Sequence, residues 1–158
     1  EAVRFCWTNT GNEGGKNYAE VMCGVDSAPL TASNTQRSVA VNRFVEGDTD
    51  FNSVDNLAFQ PVTGNLYVIE DHDNGDVWAC LPDGQDRDIK SDGCVKILSV
   101  KDSSAEPTGF LFRPDGRTAY VSIQHSDDSN MPLVDDYPTD DLIKITGFKV
   151  KRDKKDKQ

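Results

Sequence analysis

A thirteen-residue stretch occurs twice in this chain in recognisable form. NLAFQPVTGNLYV at 56–68 lines up with GFLFRPDGRTAYV at 109–121, so that Phe59 matches Phe112, Pro61 matches Pro114, Tyr67 matches Tyr120 and Val68 matches Val121, each pair 53 positions apart. Each copy reads as an apolar strand, a turn containing proline, and a second strand. A chain that repeats a hairpin at fixed spacing folds by stacking equivalent units, which excludes most architectures at once.

The rest of the sequence agrees. Helical periodicity is nearly absent. Runs rich in Val, Ile, Phe, Tyr and Trp alternate with Gly, Asp, Asn and Pro, and predict strands near 2–8, 19–25, 38–45, 55–60, 65–70, 76–81, 93–99, 108–113, 118–124 and 141–148. PVTGN, DNGD, PDGQD and RPDGR supply turns, because their residues tolerate turn geometry. The first copy continues through two more strands, so 55–99 is expected to form one four-stranded meander. The fold class is therefore all-β, and a four-stranded unit near this length reads as a β-propeller blade. An ordinary sandwich with one duplicated hairpin is the alternative. At roughly 50 residues per blade the 158 residues make about three blades, whereas closed propellers have about four to eight. Residues 1–148 are thus expected to be a partial propeller, either an open arc or part of a larger, six-bladed one. The chain starts at Glu1 and not at Met, as a mature form or a fragment would.

Charge narrows the partners. The net charge is −10 and the pI about 4.5. Six basic and two acidic residues sit in the last ten, KVKRDKKDKQ, so residues 1–148 carry −14, and residues 149–158 are expected to be a basic, flexible tail or else an arm for anionic docking. An acidic body repels phosphate backbones, which argues against nucleic acid and leaves cations as better partners. No apolar run approaches 18 residues, so no transmembrane segment is expected. The four cysteines, Cys6, Cys23, Cys80 and Cys94, form no C-x-x-C pair and no zinc-finger spacing. Cys80 and Cys94 flank one loop, and Cys6 and Cys23 lie on neighbouring runs. They are either two hairpin disulfides, which imply an oxidising compartment, or four buried thiols.

Acidic and amide side chains recur at strand ends. Asp55 and Asn56 open one predicted strand, and Glu70 and Asp71 close its antiparallel neighbour, so in a blade all four share an edge. Glu106 opens the equivalent strand of the next unit, and Gln124 and His125 close its neighbour. Carboxylates gathered in this way repel one another unless a cation lies among them. Asp55, Asn56, Glu70, Asp71 and Glu106 are therefore candidate metal ligands, against the plainer reading that each acid caps a turn or faces water. Weaker signals are DHDNGD at 71–76, which lacks the EF-hand order, and Asp83, Asp86, Asp88 and Asp92 in the loop between Cys80 and Cys94. The polar segment 125–141 is long enough to be functional. No G-x-S-x-G, H-E-x-x-H, P-loop or dinucleotide fingerprint occurs.

DNLAFQPVTGNLYVIED, GDVWACLPDG and above all AEPTGFLFRPDGRTAYVSIQH, with WTNTGNEGGKNYAEVM before them, resemble the C-terminal half of PhoX-type alkaline phosphatases. The similarity covers about residues 3–126. It implies a six-bladed propeller, export from the cytoplasm to a periplasmic, secreted or lumenal location, and hydrolysis of a phosphomonoester at a calcium and iron cluster in the central channel. Asp55, Asn56, Asp71 and Glu106 match the family's acidic strand-end positions and are implied as calcium ligands, with Glu70 beside them. The family's N-terminal half, with its iron-binding cysteine, has no counterpart in this chain. Two other readings stand beside the phosphatase. One is a catalytically silent propeller module that serves as a subunit of a larger assembly, and the other is a calcium-stabilised binding domain. Arg113 and Arg117 fall on a turn at the opposite edge from the acids and make a poor phosphate clamp.

Overall fold

The computed structural model describes residues 2–82, 93–126 and 140–150. The acidic loop with Asp83, Asp86, Asp88 and Asp92, most of the 125–141 segment, and the basic tail from Lys151 onward lie outside the described residues. What is described is all-β: ten strands in three antiparallel sheets, with one turn of 3-10 helix. The strands fall within about two residues of their predicted places. Two compact units divide the chain near Asp55.

The first unit is a meander of β1 (Val3–Asn9), β2 (Glu20–Asp26) and β3 (Val39–Glu46). Between β1 and β2 the chain makes a 3-10 turn at Glu13–Gly15, capped by Asn12, whose side chain accepts from the Gly15 amide. Gly11 opens this connection at φ +84, and a Cβ there would lie 2.4 Å from the Asn17 carbonyl oxygen, so only glycine fits. Cys6 and Cys23 are directly opposed across β1 and β2 and form a disulfide with Cα atoms 4.1 Å apart. Beyond β3 the chain folds back on β2: the Gly47 amide donates to the Ala19 carbonyl and the Ser53 amide to Tyr18. This return brings Phe51 and Val54 into the buried set with Ala19, Val21 and Val45.

The second unit holds two sheets. One has the order β4-β5-β6-β7, formed by Val54–Phe59, Leu66–Glu70, Asp76–Cys80 and Cys94–Ser99, so the meander expected over 55–99 is present. The other has the order β10-β9-β8, formed by Asp141–Thr146, Thr118–Gln124 and Glu106–Phe112. Cys80 and Cys94 are register partners on β6 and β7 and form the second disulfide. No cysteine is free.

The repeat has a physical signature. In the first copy the Gln60 amide donates to the Asn65 carbonyl at 2.9 Å, and in the second the Arg113 amide donates to Thr118 at 2.8 Å. Both ends of this bond move by 53 residues. The two turns also touch. Gln60 Nε2 donates to the Gly116 carbonyl, and a Cβ on Gly116 would lie 2.5 Å from the Pro61 carbonyl oxygen. Between the sheets, Tyr67 stacks on Phe110 at 5.4 Å and meets the edge of Phe112 at 4.8 Å, with Ile69, Val77, Ala119, Val121 and Ile123 completing the core. Burial pushes the Tyr67 hydroxyl above its ordinary range.

Phe112→Ala is expected to cost about 3–5 kcal/mol, since it removes a buried ring from this core and leaves a cavity; chemical denaturation measures it. Thiol titration in denaturant should find no thiol before reduction. Replacing Cys80 and Cys94 together by Ala should cost about 3 kcal/mol, the chain-entropy value for a loop of this length.

Candidate functional site

Strand β5 ends at Glu70, and the five residues Asp71-His72-Asp73-Asn74-Gly75 turn the chain into β6. The turn closes with a bond from the Gly75 amide to the His72 carbonyl, at 2.8 Å. Asn74 takes the left-handed conformation, φ +60, which asparagine tolerates better than most residues. It is also the stitch that fixes the turn in space. Its amide donates to the Ala105 carbonyl at 3.0 Å, and its side-chain Nδ2 donates to the carbonyls of Val100 and Asp102. The Val100 amide returns a bond to the Gly75 carbonyl. A Cβ on Gly75 would lie 2.8 Å from the His72 carbonyl oxygen and 2.9 Å from that of Glu70, so no side chain fits there. The segment stitched in this way runs straight into β8, whose first residue is Glu106.

That stitching sets Asp71 beside Glu106, near enough for the Glu106 carboxyl to act on it by repulsion and, when one of the two is protonated, through a shared hydrogen bond. Gln124, the register partner of Glu106 on β9, donates Nε2 to Glu106 Oε1. His125 follows at φ +63 with its Nε2 3.3 Å from the same oxygen. Ser126 then donates to Asp102, whose carboxylate also accepts from the Ser104 amide and hydroxyl; these bonds hold Asp102 below the usual carboxylate range. The exits of β5 and β9 are therefore both tied to the 100–106 segment.

Asp71 is pushed above the usual aspartate range. Partial desolvation is the largest cause, followed by repulsion from Glu106 and the hydrogen bond to it, while His125 and His72 act in the opposite direction. His72 has Nδ1 2.8 Å from the Asp73 carbonyl oxygen, an acceptor, so that nitrogen carries a proton. Its Nε2 is buried, makes no hydrogen bond, and lies 3.4 Å from Glu70 Oε2. The Glu70 carboxylate is itself enclosed: Oε2 accepts from the Asp76 amide at 2.9 Å and Oε1 from Trp78 Nε1 at 3.0 Å.

Of the five residues singled out from the sequence, Asp71 and Glu106 meet and Glu70 lies buried behind them. Asp55 and Asn56 follow Val54 at the start of β4, where the chain passes between units; the Asp55 carbonyl accepts from Thr8 Oγ1. Sequence reasoning placed His125 at the shared edge but did not connect it with His72. The two histidines are 53 positions apart, the same position in the two copies of the repeat, and both act on Asp71. The 53-residue offset carried that signal. Among the described residues no three His, Cys, Asp or Glu side chains form a group that could hold a metal ion. Asp71 and Glu106 match the oxygen chemistry of a hard cation but do not close a site alone.

The model of the family described as alkaline phosphatase PhoX matches residues 16–127. The chain belongs to the alkaline phosphatase PhoX family. The matched span runs from the 3-10 turn to just past His125, and so takes in every site residue named above. No curated protein and no solved structure matches the chain. Among the described residues of this PhoX-family chain, no helix is long and apolar enough to cross a membrane.

The raised Asp71 fixes the sign of one pH effect. The native state holds this proton more tightly than the unfolded chain, so stability falls as pH rises from the ordinary aspartate value of 3.8 through the higher native value. Without added cation, Asp71→Asn should therefore be more stable than the parent at pH 7, by under about 1 kcal/mol because solvent screens an exposed carboxyl. The margin should vanish as pH falls below 3.8, which paired melts across this range would show.

Proposed function

We propose that the edge carrying Asp71 and Glu106 is part of a cation-assisted centre for phosphomonoester hydrolysis. The observation that supports it most is the crowding of Asp71 against Glu106 within the span matched to the PhoX family. Two carboxyls held in contact by a stitched backbone are costly at neutral pH, and a divalent cation would relieve them. Asp71 and Glu106 would hold it, with Asp55 and Asn56 as the further ligands that the family resemblance implies, and with calcium, joined by iron in a complete site, as the metals. A bound cation would supply positive charge to the phosphate oxygens. The chain's own residues orient the pair: Gln124 holds the Glu106 carboxylate from β9, and Asn74 holds the Asp71 turn against the start of β8.

The same reading takes the three meanders as successive blades of a six-bladed propeller, this chain being its C-terminal half. Residues 1–148 would form the partial propeller, and 149–158 its basic tail. Sheet β1–β3 supports this reading. Phe5, Gly24 and Val41 lie in one row of the register, and Val3 and Val39 flank Asp26 in the next row of the same face. Phe5, Val41, Val3 and Val39 are all exposed, as on a blade face that awaits a neighbour. The two disulfides favour a location outside the cytoplasm.

A second reading, a catalytically silent module acting as a subunit or binding domain in a larger assembly, draws on the open ligand set. Among the described residues no closed metal group exists. Arg113 and Arg117 flank the β8–β9 turn, at the other end of the hairpin from Glu106, and offer no clamp for phosphate there. Thermal melts separate the two. Calcium at about 100 times its Kd should stabilise the chain by roughly 2.7 kcal/mol and chelator should reverse the gain. Glu106→Gln should blunt the response, whereas Glu13→Gln, on the exposed 3-10 turn, should leave it intact. Equal melting temperatures with calcium and with chelator would sink the metal reading for this chain and leave the silent module ahead.

A further inference from the structure

We propose that Glu70 is a positioning residue, whose buried carboxylate anchors the Asp71–Gly75 turn so that Asp71 faces Glu106. The proposal rests on reading Asp71 and Glu106 as a cation pair, and it gives Glu70 a different task from theirs. Glu70 is 1% exposed, and one carboxylate is expensive to bury without partners. Here it has several. It receives the Asp76 amide and the Trp78 indole N–H, and the His72 ring nitrogen lies 3.4 Å away. The end of β5, the turn and the first half of β6 thus converge on one side chain.

Packing does not demand a carboxylate at this position. In the second copy of the repeat the equivalent residue, 53 positions on, is Ile123, which is buried in the apolar core. What differs is the chain that follows. After Glu70 comes a five-residue turn that must carry Asp71 and reach β6, whereas the strand that holds Ile123 ends at Gln124 and the next begins only at Asp141. The acid is therefore tied to the turn and not to the fold. Glu70 fixes the turn at its root, and Asn74 and Gly75 fix its far side to the 100–105 segment. Asp71 lies between these two anchorages and has little freedom to withdraw from Glu106.

Glu70→Gln in the whole chain tests this. An amide keeps the size of the carboxylate but cannot accept from both the Asp76 amide and the indole N–H. The amide proton of Asn74, bonded to the Ala105 carbonyl, should lose hydrogen-exchange protection. Calcium affinity by calorimetry should fall about 10-fold or more, as for partners that orient ligands. Trp78→Phe, which removes one donor only, should give smaller changes of the same kind, and it carries the test if Glu70→Gln does not fold. Val21→Ala, which loosens the core of the first unit, should lower the melting temperature and leave both readouts unchanged. Loss of calcium binding in Glu70→Gln with Asn74 still protected would make Glu70 a ligand and overturn the proposal. Protection and affinity both unchanged would overturn it as well. If the parent binds no calcium but Glu70→Gln still exposes Asn74, the cation reading falls and the positioning role stands.

Discussion

Asn74 makes three hydrogen bonds to the backbone that precedes β8, and the arrangement at the candidate site depends on them. An antiparallel meander brings alternate strand ends to a common edge, but an edge is many ångströms long. Only a specific tie decides which residues on it touch. The Asn74 bonds, the return bond from Val100 to Gly75 and the absence of room for any side chain on Gly75 hold the β5–β6 turn against the segment that becomes β8. Asp71 and Glu106 meet as a consequence. The electrostatic cost of that meeting is accepted because the neighbouring backbone bonds are many and buried apolar surface lies directly beneath them.

That apolar surface comes from the repeat itself. Tyr67 and Phe112 belong to the duplicated strands, and they meet directly in the interior with Phe110 packed against both. The duplicated turns dock through Gln60 and Gly116 at the other end of the same interface. One sheet is thus clamped to the next at both ends, by turn against turn at one and by the Asn74 stitch at the other. Hydrophobic burial supplies the non-directional part, and the polar ties set the register. Two disulfides between register partners add a covalent cross-link to each of the hairpins they span, in a chain whose hydrophobic fraction is only 36%.

Polar burial in the second unit has a pattern of its own. Glu70 is enclosed by donors. Asp76 pairs with Lys96, and that ammonium also lies 4.9 Å over the Trp78 ring. A carboxylate, an indole and an ammonium therefore form one connected group across β5, β6 and β7. The members of such a group polarise one another, so losing one weakens the contacts of the others.

The sequence alone determined the strands, the repeat and the family resemblance. Those properties are local: alternation of apolar residues, turn chemistry and spacing are written along the chain and need no long-range contact to be read. It also marked Asp71 and Glu106 as neighbours across an edge, because antiparallel pairing fixes which strand ends are shared. The tertiary structure decided the rest. It separated Glu70 from Asp71 by burying one and leaving the other at the surface, although they are adjacent in sequence, because successive residues in and after a strand point in different directions. It set His72 beside Glu70 and His125 beside Glu106, so that two copies of the repeat bring an imidazole to bear on the same edge. It gave the stitching role to Asn74, a residue that reads from sequence as an ordinary turn former. Its side-chain donors find carbonyls 26 and 28 positions away, and only the packed chain brings those within reach.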